Sequence, residues 1–452
     1  QFTMSKDIRI KKGLDIKLVG VAEKSTTVVS QSSIYAVKPE DFHGITPKLV
    51  AKEGAEVKAG DTLFYSKSDA RILFPSPVSG KVTEVIRGAR RKVLAVKIAA
   101  DATQSYKDVG TKNADEMSAE EVKDHLLASG CWPFVKQRPY DVVANPNQAP
   151  KAIFISAYAS APLAADLEYT LAGKEAELQA AITAVSKLTE GLVHVSVGAN
   201  RTSPFAHLKG IEVHQVSGPH PSGNVGTQIA HIDPINKGEV VWVISPQDVL
   251  VIGELLLTGK LNLTRTVALT GSQFSTPQYV TAISGAAIAD VTAHNLKDDN
   301  TRIISGNVLS GKEVKLAEFL GYYDNQITAI PEGNDYEFFG WNKPIFNKIS
   351  TSRALTFSWL SPNKKYDLNT NTNGEHRAFV VTGSYEEVFP LDIYPMQLLK
   401  AFMYKDLDEM EALGGYEVAP EDFALTEFVC VSKQPHQKII REGLDLMREE
   451  LG

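Results

Sequence analysis

Cysteine is nearly absent from this sequence. Cys131 and Cys430 are the two cysteines in 452 residues. Neither has a second cysteine at C-x-x-C spacing, so the sequence offers no disulfide framework and no cysteine-based metal site. Both side chains are expected to pack in the core as small apolar groups. A reducing, cytosolic compartment is therefore the expected location.

Long apolar runs and a targeting segment are also missing. The most apolar stretch, residues 240–257, is interrupted by SPQD and by Glu254. It falls short of the roughly 20 apolar residues that a spanning helix needs. The first residues, 1–4, do not start a basic segment followed by a long apolar run, so no signal peptide is predicted. A net charge of −7 gives no general attraction to nucleic acid. We expect any membrane contact to be made through partner proteins only.

The motifs of nucleotide, metal and hydrolytic chemistry are incomplete. There is no HExxH motif and no readable Ser–His–Asp or Cys–His arrangement. Four histidines lie close together along the chain, and their spacings match no compact zinc pattern: His207, His214, His220 and His231. We predict scattered surface or loop histidines and no metal site.

The patterns that are present predict an α/β and β multidomain protein. Residues 5–100 read as short strands broken by Gly and Asp, and residues 101–150 as a helical connector. Strands alternate with helices over residues 151–262, which predicts a Rossmann-like α/β domain. Short strands return over residues 263–330. Residues 331–452 are first mixed and then helical.

Local patterns predict a helix in each of three of these segments. SAEE at residues 118–121 is a capping box ahead of a helix in the connector. A helix is predicted at about residues 172–188. In the last predicted helix, Ile440, Leu444, Met447 and Leu451 recur at i, i+4, i+7 and i+11, which makes one apolar stripe. The sequence leaves open whether this stripe packs internally or on a partner.

Two loops of the predicted α/β domain are candidate ligand sites. The run GPHPSGNVGT, residues 218–227, contains the candidates Gly218, His220, Gly223 and Gly226. Such glycines let backbone N–H groups approach a phosphate or a flat ring. The run lacks GxGxxG and is not expected to lie tightly between a strand and a helix, so a rigid structural loop is the alternative. Asp166 follows the first α/β strand, where ligands often bind, but it could equally cap the next helix.

The first segment resembles a lipoyl or biotinyl domain in its paired turns. Such a domain carries its cofactor on a lysine at a hairpin tip. In this sequence the tip falls at residues 68–71, SDAR, and Ala70 stands where the lysine would be. The resemblance therefore implies a barrel-sandwich fold that lacks the swinging arm.

Motifs along nearly the whole chain resemble those of the A subunit of the Na+-translocating NADH:quinone reductase. They are IRIKKGLD at residues 8–15, PVSGKV at 77–82, RGARR at 87–91, GPHP at 218–221, FGW at 339–341, NTNG at 371–374, PLD at 390–392 and FVC at 428–430. The resemblance implies a peripheral subunit on the cytoplasmic face of the bacterial inner membrane. The complex oxidises NADH, reduces ubiquinone and pumps Na+.

The same resemblance implies which part of the work falls to this chain. Flavins, the iron–sulfur centre and the membrane spans belong mainly to other subunits, so this chain is expected to bind no cofactor itself. Residues 263–330 are expected to be β-grasp-like, as in a related complex I subunit. That relative's C-x-x-C cluster motif is absent here, where Cys430 stands alone. The alternative is a free-standing flavin- or nucleotide-binding dehydrogenase.

We predict that the purified chain carries no lipoyl or biotinyl group, because Ala70 has no amine to acylate. Its intact mass should equal that of the polypeptide. A mass increased by either group would show that another lysine is the acceptor.

Overall fold

The computed structural model describes residues 5–340 and 342–452. Residues 1–4, where no signal peptide is predicted, and position 341 of the FGW motif lie outside the described residues. The strands are β1 (Asp7–Arg9), β2 (Glu23–Val28), β3 (Ile34–Val37), β4 (Pro47–Leu49), β5 (Glu56–Val57), β6 (Thr62–Ser66), β7 (Leu73–Pro75), β8 (Gly80–Arg87), β9 (Val93–Ala100), β10 (Lys136–Arg138), β11 (Val142–Val143), β12 (Ala152–Ala157), β13 (Val193–Gly198), β14 (Glu212–Ser217), β15 (Val241–Val243), β16 (Thr264–Thr270), β17 (Gln278–Ile283), β18 (Thr301–Ser305), β19 (Lys312–Val314) and β20 (Gln326–Pro331). The helices are α1 (Ala119–Ser129), α2 (Leu167–Thr170), α3 (Glu175–Val185), α4 (Val225–Ile232), α5 (Pro246–Thr258), α6 (Ile288–Thr292), α7 (Ser384–Val388), α8 (Pro395–Tyr404), α9 (Leu407–Ala412), α10 (Ala424–Val429) and α11 (His436–Leu451).

Two small sheets face each other in the N-terminal β part. One has the order β3-β9-β8-β5 and the other β4-β6-β7. Phe64 and Phe74 are fully buried between them and stack with ring centroids 4.8 Å apart. The β6–β7 hairpin carries Ala70 at its exposed tip, beside an Asp69–Arg71 ion pair of 2.6 Å. The predicted barrel-sandwich is confirmed.

The central sheet has the order β1-β14-β13-β12-β15-β10-β11. Its first five strands are parallel, β10 runs antiparallel to β15, and β11 runs antiparallel to β10. The predicted helix begins at Glu175 rather than at residue 172, because Gly173 has a φ of 76° that helical backbone does not allow. The predicted Rossmann-like α/β layer is confirmed. α1 begins with the predicted capping box, in which Ser118 Oγ accepts from Glu121 N–H.

A third sheet has the order β19-β18-β20-β16-β17-β2. Its edge strand β2, like β1 of the central sheet, comes from the first 30 residues. Those residues were predicted to belong to the N-terminal β domain. These two strands have three and six residues, and most of their side chains are exposed. Their sequences therefore show no alternation of buried and exposed residues that would indicate which sheet they join. The limits of the predicted domains otherwise remain a prediction.

The chain ends in a helical layer. Helix α11 buries Ile440, Leu444 and Met447 in a cluster with α8 and α10, whereas Leu451 is 43% exposed. Most of the predicted apolar stripe therefore packs internally. No helix within residues 5–340 and 342–452 is both long enough and apolar enough to cross a membrane.

Helix α11 crosses α8 where Gly443 meets Phe402. A Cβ at position 443 would lie 1.9 Å from Phe402 Cδ1, and Phe402 is 3% exposed. We expect Gly443→Ala to cost about 1–3 kcal/mol by overpacking, which outweighs its gain of about 1 kcal/mol in helix propensity. The midpoint of thermal unfolding should fall, and Phe402→Leu should restore part of the loss. A midpoint raised by Gly443→Ala would contradict this account of the crossing.

Candidate functional site

A cavity of about 350 Å³ opens at the carboxyl ends of β12 and β15. Chain order reverses between these two strands, because β13 and β14 follow β12 on one side and β15 adds on the other. Crevices at such reversals are the usual ligand sites of open α/β sheets. The central sheet, the third sheet and the helical layer all contribute to the wall, which includes Lys136, Arg138, Asp141, Ser160, Gly223, Asn224, Ser245, Asp248, Tyr323, Asn325 and Glu421.

One wall is a hydrogen-bonded pair of loops around Gly223. Its N–H donates to Ser160 Oγ at 2.7 Å, and Ser160 Oγ forms a hydrogen bond of 2.9 Å with His220 Nδ1. A Cβ at position 223 would lie 2.5 Å from the Ser160 backbone nitrogen. Gly223 is thus required because the two loops touch. His220 is 3% exposed, and burial lowers its pKa to about 4, so it is neutral and supports the loop from behind.

The GPHPSGNVGT run lies directly between a strand and a helix, contrary to the expectation from sequence. β14 ends at Ser217 and α4 begins at Val225. The strand is hard to recognise because Glu212, His214 and Gln215 give it a polar composition. Gly218 leaves the strand with its backbone against Ile10, away from the cavity.

The prediction of surface or loop histidines is partly wrong. His214 is fully buried on β14, and its Nε2 lies 2.9 Å from Nδ1 of His194 on β13. Burial lowers the pKa of both rings, which favours their neutral forms. Among the residues that the structure describes, no group of three His, Cys, Asp or Glu side chains is arranged so that it could hold a metal ion.

Asp166 lies beside the cavity rather than in its wall. Its carboxylate accepts from Tyr169 N–H at 3.1 Å and thus caps α2. It also forms an ion pair of 2.7 Å with Lys24. Burial favours the neutral acid, but the Lys24 and Tyr169 hydrogen bonds hold the pKa of Asp166 below its usual value. The structure places Asp166 in the helix-capping position that the sequence left as the alternative.

A buried ion cluster forms the floor of the site, and no pattern in the sequence indicated it. Arg138 is 3% exposed, and its guanidinium contacts Asp422 at 3.0 Å and Glu421 at 2.8 Å. Gly226 explains how the cluster fits. A Cβ there would lie 2.4 Å from Asp422 Oδ1 and 2.5 Å from Arg138 Nη1. Gly226, which the sequence offers as a candidate ligand residue with a structural loop as the alternative, thus makes room for an internal ion pair.

The carboxylates around Arg138 titrate differently from free acids. The Glu421 side chain is partly buried, with 40% of its surface exposed. This partial burial and the neighbouring Asp422 raise the pKa of Glu421 to about 7, although Arg138 opposes the shift. Burial also acts on Asp141, but Arg138, Lys136 and Arg441 together hold its pKa below the usual value. Burial also raises the pKa of Asp422, although Arg138 opposes this shift. Of these carboxyl groups, Glu421 lies in the cavity wall and has a pKa close to neutral pH.

Lys136 is a cation of the cavity wall that acts on the nearby Asp141 carboxylate without forming an ion pair with it. Its Nζ lies 3.9 Å from the centroid of the Tyr323 ring and makes no ion pair with a described residue. Tyr323 is fixed in turn, because its hydroxyl donates to the Pro133 carbonyl. Arg265 contacts Asp248 at 2.6 Å and neutralises that wall carboxylate. The wall therefore combines aromatic surface with one available cationic donor.

Three comparisons with known proteins bear on the chain. The NqrA N-terminal barrel-sandwich hybrid domain matches residues 8–101, the NqrA second alpha/beta domain residues 117–261, and the NQRA C-terminal domain residues 266–315. The A subunit of the Na(+)-translocating NADH-quinone reductase of Neisseria meningitidis serogroup B is 36% identical over 98% of this chain and 100% of its own. That of Pasteurella multocida is 35% identical over the same shares. An NAD+-reducing [NiFe]-hydrogenase chain aligns at 10% identity over 65% of this chain and 54% of its own, with a TM-score of 0.35.

The fold and the cavity define a multidomain α/β protein with a ligand crevice at a sheet reversal. Sequence identity of 36% and 35% over the full length of the two relatives shows the family. This chain belongs to the NqrA family, the A subunits of the Na(+)-translocating NADH-quinone reductases.

The raised pKa of Glu421 predicts a pH dependence of stability. Between the ordinary pKa of 4.5 and the folded value of about 7, the folded state binds more protons than the unfolded state. Stability should therefore fall as pH rises through this window. Glu421→Gln should flatten the fall in thermal midpoint between pH 5 and pH 8, because it fixes the neutral form.

Glu450→Gln, at an exposed position near the chain end, is the matched control and should leave the profile unchanged. Glu421 is 40% exposed, so solvent screens part of the effect and we expect a modest change in slope. An identical pH profile for Glu421→Gln and the wild type would refute the assignment.

Proposed function

We propose that this chain is a peripheral subunit of a Na+-pumping NADH:ubiquinone oxidoreductase, held by its partner subunits on the cytoplasmic face of the bacterial inner membrane. The observation that carries this proposal is the identity of 36% over the full length of a relative from such a complex. In this role the chain supports electron transfer to quinone that is coupled to Na+ export. NADH, flavins and the iron–sulfur centre are handled by other subunits.

The cavity is the part of this chain that we assign to ubiquinone. A quinone head group is flat and neutral, and it needs apolar or aromatic contact together with donors for its carbonyl oxygens. Tyr323 and Phe134 supply rings, and Lys136 supplies a charged N–H donor that forms no ion pair with a described residue. Helices α4 and α5 begin at the wall with Asn224 and Ser245 as their N-caps, which adds donors of the first helical turns.

The charge of the cavity disfavours a dinucleotide. Arg138 is already shared by Glu421 and Asp422, and Asp141 adds a further carboxylate. A pyrophosphate would therefore meet about as much negative as positive charge, whereas a neutral ring meets no such penalty. This balance favours ubiquinone over the nucleotide of a free-standing dehydrogenase. Of the candidates from sequence, Gly223 lines the cavity and His220 supports it through Ser160.

Glu421 is assigned a proton-holding role at this site. Reduction of a quinone to a quinol takes up two electrons and two protons. A carboxyl group whose pKa is about 7 holds and releases a proton at the pH of the cytoplasm. The electrons come from the complex, and this chain orients the ring and keeps a proton near it.

The test is calorimetric titration of the purified full-length chain with a short-chain, water-soluble ubiquinone. Lys136→Met keeps the length of the side chain and removes the donor, so we expect affinity to fall at least about tenfold. Lys67→Met, at an exposed position in the N-terminal hairpin, is the control and should bind as the wild type does.

Equal affinity for Lys136→Met and the wild type would remove Lys136 from the site. The same preparation separates the two functional hypotheses, because a free-standing flavoprotein would be yellow. A flavin spectrum near one equivalent per chain would contradict the proposal that other subunits hold the flavins.

A further inference from the structure

A long loop between the third sheet and the helical layer has no role in the cavity. Residues 342–366, here called the basic aromatic loop, contain one 3-10 turn, Leu355–Leu360, and otherwise neither helix nor strand. Loops beyond about 15 residues without secondary structure are uncommon in folded proteins and are usually binding segments or disordered linkers. The length of this loop therefore calls for an explanation.

The loop is tied to the body of the protein at several points. Tyr366 N–H donates to the Lys17 carbonyl at 2.8 Å, and Lys17 Nζ donates to the Pro362 carbonyl at 3.0 Å. Asp367 N–H donates to Asn347 Oδ1 at 3.0 Å. Because the loop is held across its own length, its side chains are presented in a defined arrangement. A binding segment fits these contacts better than a linker.

Large apolar side chains of the loop point into solvent. Phe346 is 71% exposed, Phe357 70%, Trp359 60% and Leu360 64%. Scattered single apolar residues are normal on a surface, but four within 15 residues form a group whose exposure costs free energy unless a partner covers it. Aromatic side chains of this kind are frequent anchors of protein interfaces.

The charge of the loop is opposite in sign to that of the chain. It contains Lys343, Lys348, Arg353, Lys364 and Lys365 and no Asp or Glu, in a chain of net charge −7. Lys348 pairs with Glu337, and the other four have no ion-pair partner among the described residues. Cations left unpaired around exposed rings attract a surface with acidic side chains.

We propose that the basic aromatic loop docks onto an acidic surface of a neighbouring subunit of the complex, with Phe357 and Trp359 inserted as anchors among its carboxylates. The proposal rests on the proposed function, which supplies the neighbouring subunits. The proposal adds which surface of this chain contacts those subunits, and it states that the opposing surface is acidic.

A bilayer is the less favourable occupant. In-plane membrane contact is normally made by an amphipathic helix, which pairs its own backbone groups. The basic aromatic loop has a single 3-10 turn and no such helix, so it does not present the continuous apolar helix face that lies in a membrane. Its cations without ion-pair partners instead fit the carboxylates of a protein surface.

The experiment co-expresses the tagged full chain with the other subunits, solubilises the membranes in detergent and measures the partner subunits recovered per chain. Two variants disable the loop: Phe357→Ser with Trp359→Ser, and Lys343→Glu with Lys365→Glu. We expect each to lower the recovery of partners to roughly a tenth or less. The matched controls are Tyr404→Ser, whose ring is 80% exposed on α8, and Lys67→Glu with Lys81→Glu on the N-terminal sheets.

Recovery that is lost in the loop variants and kept in the controls supports the proposal, provided that all variants unfold at the wild-type temperature. Full recovery by both loop variants overturns it while leaving the proposed function intact. If the wild-type chain recovers no partners, the proposed function fails as well.

Two further experiments use the purified chain alone. Loop-dependent binding to phosphatidylglycerol vesicles would assign the loop to lipid, and a loop-dependent dimer would assign it to a second copy; either result overturns the proposal.

Discussion

The buried guanidinium of Arg138 is the constraint on which the arrangement of the site depends. A charge buried this deeply must be paired, and its partners Glu421 and Asp422 come from the helical layer nearly 300 residues later. The pair therefore fixes the helical layer against the edge of the central sheet. Gly226 is the third member of the arrangement, because any larger residue would occupy the space of the two charged groups.

This one contact also sets the chemistry of the cavity. Side chains two apart on a strand face the same side, so β10 presents Lys136 together with Arg138. Arg138 is engaged in the internal ion pair, whereas Lys136 remains available above the Tyr323 ring. The same contact places Glu421 in the wall with its raised pKa. The three-residue strand β10 thus carries both the structural side chain Arg138 and the available donor Lys136.

The sequence predicted the parts of the fold that have strong local patterns. The buried strand β12, the capping box at Ser118 and the apolar stripe of α11 all follow from periodicity and capping rules. The short polar strands β1, β2 and β10 have no such pattern, and their place depends on distant partners. For the same reason the Arg138 cluster was missed and Gly226 was interpreted as a ligand residue. The sequence KQR of strand β10 gives no indication that its last residue, Arg138, is buried.

The central claim is that this chain contributes a quinone site whose floor is the Arg138 cluster. The most direct test is a structure of the assembled complex with ubiquinone bound. We expect the head group in the cavity, with one carbonyl oxygen within hydrogen-bond distance of Lys136 Nζ and the Arg138–Asp422 pair intact. Quinone held entirely by other subunits, with only solvent in this cavity, would contradict it.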